Sequence, residues 1–348
     1  MHLRLIRLST RLVAVSAALA LTAVTAAACS SSNSSDGSDS AGQGASSLSG
    51  VTLTLGDQVS SLKTLLTASG ELTGTPYTVK FAEFQGAAPL FQAVKAGDVD
   101  TGYAADLPTL SAIAGGVPVK AVAALQASGA GTAILVQKDS TVTSVADLKG
   151  RTIVVSSARG SVAQELLAYA LAKAGIPYSD VHVEYLLPAA ALAAFSAHKI
   201  DIWATFGVYQ DTAQLAGART LVDGENGLTS GIGLISATSQ VLGDAGKRAA
   251  LEDILKRINK ALIWSTTHAS QYAAAYASAF NLSSAIAQDV VSQGSTELLP
   301  LTTAEIAKIQ KVSTVMSSIG GLTSEVNVSA NSDATAYTAA DEASSAKS

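Results

Sequence analysis

The sequence predicts an α/β protein of two lobes, and three observations carry that prediction. Between two low-complexity ends, runs of strand type alternate with amphipathic runs of helix type, the pattern of sheets covered by helices. The alternation then starts afresh at residue 151, where a buried-type strand runs into a Gly/Ser turn and an apolar helical stripe. Finally, about 280 residues lie between the two ends, enough for two cores.

The N-terminal end does not belong to either lobe. Arg4, Arg7 and Arg11 precede an uncharged run, 12–28, which ends in three alanines before Cys29. A basic start, an apolar middle and a small-residue end read as a secretory signal over 1–28. At 17 residues the run is also near the lower limit of a membrane span, so an uncleaved anchor is the alternative. Cys29 is the only cysteine, which rules out an intrachain disulfide and a Cys-based metal site. Residues 29–50 are Ser-, Gly- and Asp-rich with almost nothing to bury, a flexible tether of roughly 25 Å root-mean-square reach. The tail, 329–348, has a similar composition and is expected to be disordered.

The first lobe is expected over 51–137. Strands are read at 51–55, where Gly56, Asp57 and Gln58 end the run, at 77–81 and at 99–103. Leu62, Leu65 and Leu66 mark one intervening helix, and Leu90, Phe91 and Val94, stopped by Gly97, mark the next. Runs 117–125 and 132–136 read as two more strands around a Ser128-Gly129 turn, and 139–150 as the crossing segment. The second lobe, 138–232, holds strands at 151–155, 181–187, 200–206 and 221–222, with helices after each of the first three. A glycine-interrupted strand within 228–236 leads back to the first lobe, and the stripe Leu251, Ile254, Leu255, Ile258 and Leu262 opens a helical region that completes it over 233–328. Such a sheet should be mostly parallel, with ligands beyond the carboxyl ends of its strands.

The turn from Ser156 to Ser161 is the first candidate site. Ser161 with Gln164 has capping-box spacing, and a helix start presents unpaired N–H groups and partial positive charge to an anion. The backbone amides of Gly160 and Ser161 are the expected seat, with the Ser161 hydroxyl beside them and Arg159 either joining them or facing solvent. Gln58, Gly86 and Asp106 stand at the strand ends of the first lobe. Gln58 can donate to an oxyanion, while Asp106 can orient donors, cap a helix or bind an amine. Trp203 and Phe206 would wall an organic tail or serve as core, and Tyr209 could close the mouth.

Without 1–28 the formal charge moves from −5 to −8, 19 Lys+Arg against 27 Asp+Glu, with no basic run, which excludes nucleic acid as the expected partner. His182, His198 and His268 are far apart without metal-ligand spacing, and no nucleophile elbow or phosphate loop occurs, so no metal, cofactor or catalytic residue is assigned.

Several stretches together resemble a known family. They are Glu83-Phe84-Gln85-Gly86 on to Ala96-Gly97-Asp98-Val99-Asp100, Asp106-Leu107-Pro108, Val145-Ala146-Asp147-Leu148-Lys149-Gly150-Arg151, Gly160-Ser161 on to Ala170-Leu171-Ala172-Lys173-Ala174-Gly175, and Asp201-Ile202-Trp203 on to Tyr209. In that order they are similar to the solute-binding proteins of ABC importers, in the aliphatic sulfonate, taurine and nitrate group. The resemblance implies a periplasmic-binding-protein type II fold, two α/β lobes joined by a hinge that close on a small organic anion. It also implies delivery to a permease with its ATPase, and a monomer. Residues 26–29 resemble a lipobox, which implies lipidation of Cys29 and a place on the outer face of a bacterial cell membrane; a plain cleavage is the alternative. The chain departs from the group at Val162 and Gln164, where a hydroxyl and a His are frequent, and at Phe206-Gly207-Val208, where Trp-Asp-Pro is usual. Sulfonate, taurine, nitrate, a carboxylate and a vitamin precursor all remain open as ligand. An enzyme of the same fold acting on a small acid, or a ligand-sensing receptor subunit, is the alternative function.

Overall fold

The computed structural model describes residues 48–346; the expected signal, the lipidation at Cys29 and nearly all of the tether lie outside the described residues. In chain order the elements are β1 (Thr52–Gln58), α1 (Ser61–Ala68), β2 (Thr78–Phe84), α2 (Ala87–Ala96), β3 (Thr101–Ala105), α3 (Asp106–Ala114) and β4 (Val119–Gln126). The chain then enters β5 (Thr132–Val136), β6 (Thr152–Val155), α4 (Val162–Lys173), β7 (His182–Tyr185), α5 (Pro188–Ser196), β8 (Ile202–Phe206), α6 (Gly207–Leu215) and β9 (Arg219–Asp223). It returns through β10 (Ile232–Thr238) to α7 (Ser239–Gly243), α8 (Ala245–Thr267), α9 (Ala269–Phe280), α10 (Ser284–Gln293), β11 (Leu298–Leu299), α11 (Thr303–Ser318) and α12 (Ala339–Ser345).

These strands form two sheets, ordered β11-β4-β10-β3-β1-β2 and β7-β6-β8-β5-β9. Both are mixed rather than mostly parallel. Pairs joined by a helical crossover, β1 with β2 and β3, and β6 with β7 and β8, are parallel. Strands entering from the other sheet run the opposite way: β10 is antiparallel to β3 and β4, and β5 to β8 and β9.

The expected boundary at 137/138 is displaced. β5 belongs to the second sheet, so the chain crosses between β4 and β5, and 132–136 does not form a hairpin with β4. Residues 139–150 are not the crossing segment either: Leu148 is fully buried in the core around β6 and α4. Where the chain crosses and returns, two backbones lie side by side; the Ala127 amide donates to the Gly231 carbonyl at 2.9 Å. Gly231 has φ 67° and a Cβ there would stand 2.3 Å from the Ala127 carbonyl oxygen, so only glycine fits.

Each sheet is covered by its own core. Leu53, Leu55 and Val122 pack on Leu66 of α1 and on Leu251, Ile254 and Leu255 of α8. Ile134, Ile153 and Ile202 pack on Leu166, Leu167 and Leu171 of α4. A third cluster joins α3 to α11 and takes in Ala168 of α4, tying the second lobe to the first.

The expected disorder of 329–348 is corrected for the described residues up to 346. Tyr337 is fully buried in the first lobe's core, and Ala121 both donates to Asn331 and accepts from Asp333 through its backbone. Arg248 pairs with Asp333 at 2.9 Å and Lys256 with Asp341 at 2.9 Å. Composition hid this because one buried ring, two backbone bonds and two ion pairs, not an apolar run, hold the segment. Among the described residues no helix is long and apolar enough to cross a membrane.

Candidate functional site

A cavity of about 330 Å³ opens where the two sheets face each other, at the carboxyl ends of their strands. Its volume is that of a small-molecule site. The strand-to-helix turns of both lobes meet there: Ala87 and Asp106 begin α2 and α3, Ser161 and Val162 begin α4, and Gly207 and Val208 begin α6. Three of the four starts, α2, α3 and α6, have no side-chain cap; in α3 the Asp106 carboxylate accepts from the Leu107 amide, whereas the first-turn N–H groups of α2 and α6 keep no side-chain acceptor. Partial positive charge therefore faces the cavity from both lobes.

The turn Ser156 to Ser161 does line this region, but not as the sequence predicts. Gln164 reaches back to accept from the Gly160 amide at 2.6 Å, and the Ser161 amide donates to the Ala158 carbonyl at 3.2 Å. Both expected anion donors are thus already engaged. Ser161 Oγ accepts from the Gln164 amide at 3.3 Å, which leaves the hydroxyl proton to donate. Ser157, from the same turn, lines the cavity beside it. Arg159 is exposed and turns to an adjoining hollow of about 220 Å³ with Lys95 and Gln92.

The remaining predicted residues divide. Gln58 lines the cavity, but its amide donates to the Tyr103 carbonyl at 2.8 Å. Gly86 caps α2 at the point where the lobes touch; a Cβ there would stand 2.7 Å from Ser157 Oγ. Phe206 lines the cavity. Trp203 does not: it is fully buried against Phe195, and its indole N–H donates to Ser156 Oγ at 2.9 Å. Trp203 therefore braces the turn instead of walling a ligand. Tyr209 packs in the same cluster.

Among the described residues, Asp106 is the sole charged one lining the cavity. It is fully buried, its carboxylate accepts from the Leu107 amide and the Ser230 hydroxyl, each at 2.6 Å, and Glu165 of α4 faces it. Burial pushes Asp106 up to about 6 despite those hydrogen bonds. Burial first, and the Asp106 charge second, push Glu165 well above the carboxylate range. The two raised acids thus face each other between lobes, Asp106 on α3 and Glu165 on α4.

Sequence reasoning missed the opposite wall, supplied by the C-terminal helices. Tyr272 and Tyr276 of α9, Val290 and Val291 of α10, and Gln293 line it with Tyr103. One signal was available: Trp264, His268, Tyr272, Tyr276 and Phe280 recur every fourth residue, an aromatic stripe on one helical face. Gln293 also donates to Asp211 of α6 at 3.2 Å, so α10 spans the two lobes.

Two mixed sheets crossed twice by the chain, with a cavity at the strand ends between them, define a type II periplasmic-binding-protein fold. Residues 78–231, which supply just over half of the residues lining the cavity, match the family described as NMT1/THI5 like. A protein of Escherichia coli (strain K12) named as an aliphatic sulfonates-binding protein is 33% identical over 184 residues, 52% of this chain and 57% of that protein. The alignment thus spans little more than half of that relative's length. The alkanesulfonate-binding protein SsuA from Xanthomonas axonopodis pv. citri, bound to MOPS, superposes with TM-score 0.75 and 27% identity over 81% of this chain and 98% of that one. The desulfurization enzyme DSZB has the same fold, with TM-score 0.59 and 15% identity over 81% of this chain and 96% of that one. At that identity the likeness is one of fold alone.

Proposed function

We propose that this chain is the extracytoplasmic solute-binding protein of an ABC importer, which closes its lobes on a small organic sulfonate and delivers it to a permease coupled to its ATPase. The observation that carries this reading is the cavity itself, with uncapped helix starts converging from both lobes and hydroxyls of Ser157 and Ser161 between them. No Lys, Arg or His lines it among the described residues. A sulfonate suits such a site, because it remains ionised at any working pH and spreads its charge over three oxygens, each served by neutral donors. The names of the similar binding proteins support the same ligand class. In this reading Cys29 carries the lipid that holds the protein at the outer face of the cell membrane, the tether gives it reach, and it works as a monomer without metal or cofactor. The binding reading is favoured over an enzymatic one because Asp106, the sole acid lining the cavity among the described residues, is turned to Ser230, Leu107 and Glu165 instead of a reacting group.

The test is thermal melting with ethanesulfonate, benzenesulfonate, taurine, nitrate and benzoate. A ligand at about a hundredfold excess over its Kd should stabilise the fold by ~2.7 kcal/mol and raise Tm accordingly. A shift with nitrate or benzoate and none with any sulfonate would move the ligand class. No shift with any of the five would sink the binding-protein reading.

A further inference from the structure

The wall opposite the helix starts is built for something other than an anion. Leu62 and Leu65 of α1, Leu262 of α8, Tyr103 of β3, and Tyr272 and Tyr276 of α9 converge on the cavity. The tyrosines are held in place by further rings. Tyr272 meets Trp264 at 6.4 Å and Tyr276 at 6.1 Å, both edge to face, and Tyr276 meets Phe280 at 4.6 Å. Such a wall loses little conformational entropy when it receives a ligand. Burial keeps all three phenols protonated, pushing Tyr103 up to about 12 and raising Tyr272 and Tyr276 as well.

We infer that the cavity selects a ring-bearing sulfonate, an arenesulfonate in the first place, with its ring against Tyr103, Tyr272 and Tyr276 and its head at the starts of α2 and α6. The inference rests on the organosulfonate reading above. A methane- or ethanesulfonate leaves most of the about 330 Å³ unfilled, and an unfilled apolar wall forfeits its dispersion contacts. Taurine fares worse. Its ammonium would be stripped of water among Leu62, Leu65 and Leu262, and the acid that lines the cavity, Asp106, is engaged by Ser230, Leu107 and Glu165.

Calorimetry on the protein with benzenesulfonate, ethanesulfonate, taurine and benzoate tests this. Benzenesulfonate should bind at least about tenfold more tightly than ethanesulfonate, with taurine weakest. Tyr272→Leu and Tyr276→Leu keep apolar volume while removing a ring. Each should cut benzenesulfonate affinity about tenfold and leave ethanesulfonate affinity within about twofold, a split that a general loss of folding would not produce. Ethanesulfonate or taurine binding as tightly as benzenesulfonate would overturn the ring pocket while leaving the sulfonate reading intact. Equal losses for both sulfonates in the variants would also overturn it. Benzoate binding with no sulfonate binding would overturn the sulfonate reading and keep the ring pocket.

Discussion

Gly86 is the residue whose smallness has the clearest functional reason. Its φ of 175° is extended backbone that any residue adopts, so an added methyl meets no local strain. The methyl would instead meet Ser157 Oγ, 2.7 Å away on the other lobe. Gly86→Ala should therefore destabilise the contact between the lobes by ~1–3 kcal/mol, the cost of overpacking, and bind any ligand that needs this contact about tenfold more weakly. Arg159→Ala is the contrast. Its side chain is exposed and outside the main cavity, so calorimetry should return an affinity within about twofold of the unaltered protein. A tenfold loss at Arg159 with none at Gly86 would reverse the assignment.

At the scale of elements, the tail makes a claim on stability that its composition conceals. Tyr337 is fully buried beneath the first sheet, and α12 starts with a capping box of Thr338 and Asp341. Removing the ring leaves a cavity among residues already close-packed, so Tyr337→Ala should cost about 3 kcal/mol in urea unfolding, against less than ~0.5 kcal/mol for an exposed change such as Ser329→Ala. This is also where the sequence was least legible. Period and turn chemistry located β1, β3, α4, β8 and the long stripe of α8, because each is a local pattern repeated over several residues. The lobe boundary depended on which sheet β5 joins, and strand pairing is decided by partners far along the chain. The same limit governs the site. The Ser156 to Ser161 turn was readable as a strand-to-helix connection, but the engagement of the Gly160 amide by Gln164 follows from one rotamer. Tyr272 and Tyr276 lay in a helical region remote in sequence from every turn that suggested a ligand, and only the packing of α9 beside α1 brings them in.

For the whole molecule, the carboxyl pair between the lobes predicts how stability responds to pH. Asp106 belongs to α3 of the first lobe and Glu165 to α4 of the second, both fully buried and without a cationic partner among the described residues. The hydroxyl of Tyr169, one turn along α4, is pushed up to about 12 by burial and then by these two charges, so it stays neutral. Both acids hold their protons more tightly when folded than when unfolded. The sign follows: their contribution is fully present below the unfolded carboxylate range near 4 and is lost as pH rises through about 6 and beyond. Ionising both would confine two like charges in a buried contact, which the raised proton affinity of the pair opposes. Other acids act in the opposite sense, Asp333 being lowered to about 2 by its bonds to Arg248 and Thr335 despite the opposing effect of burial, so the Tm of the protein alone would mix the two. Glu165→Gln isolates the pair, because the amide can donate to Asp106 at every pH. The variant should match the unaltered protein within about 0.5 kcal/mol near pH 4.5 and exceed it by roughly 2 kcal/mol or more at pH 8, since each tenfold gain in proton affinity on folding is worth about 1.4 kcal/mol. Urea melts at the two pH values decide it. A variant equally or less stable at pH 8 would mean that the pair is relieved by solvent, and that the lobes stand apart there in the unliganded protein.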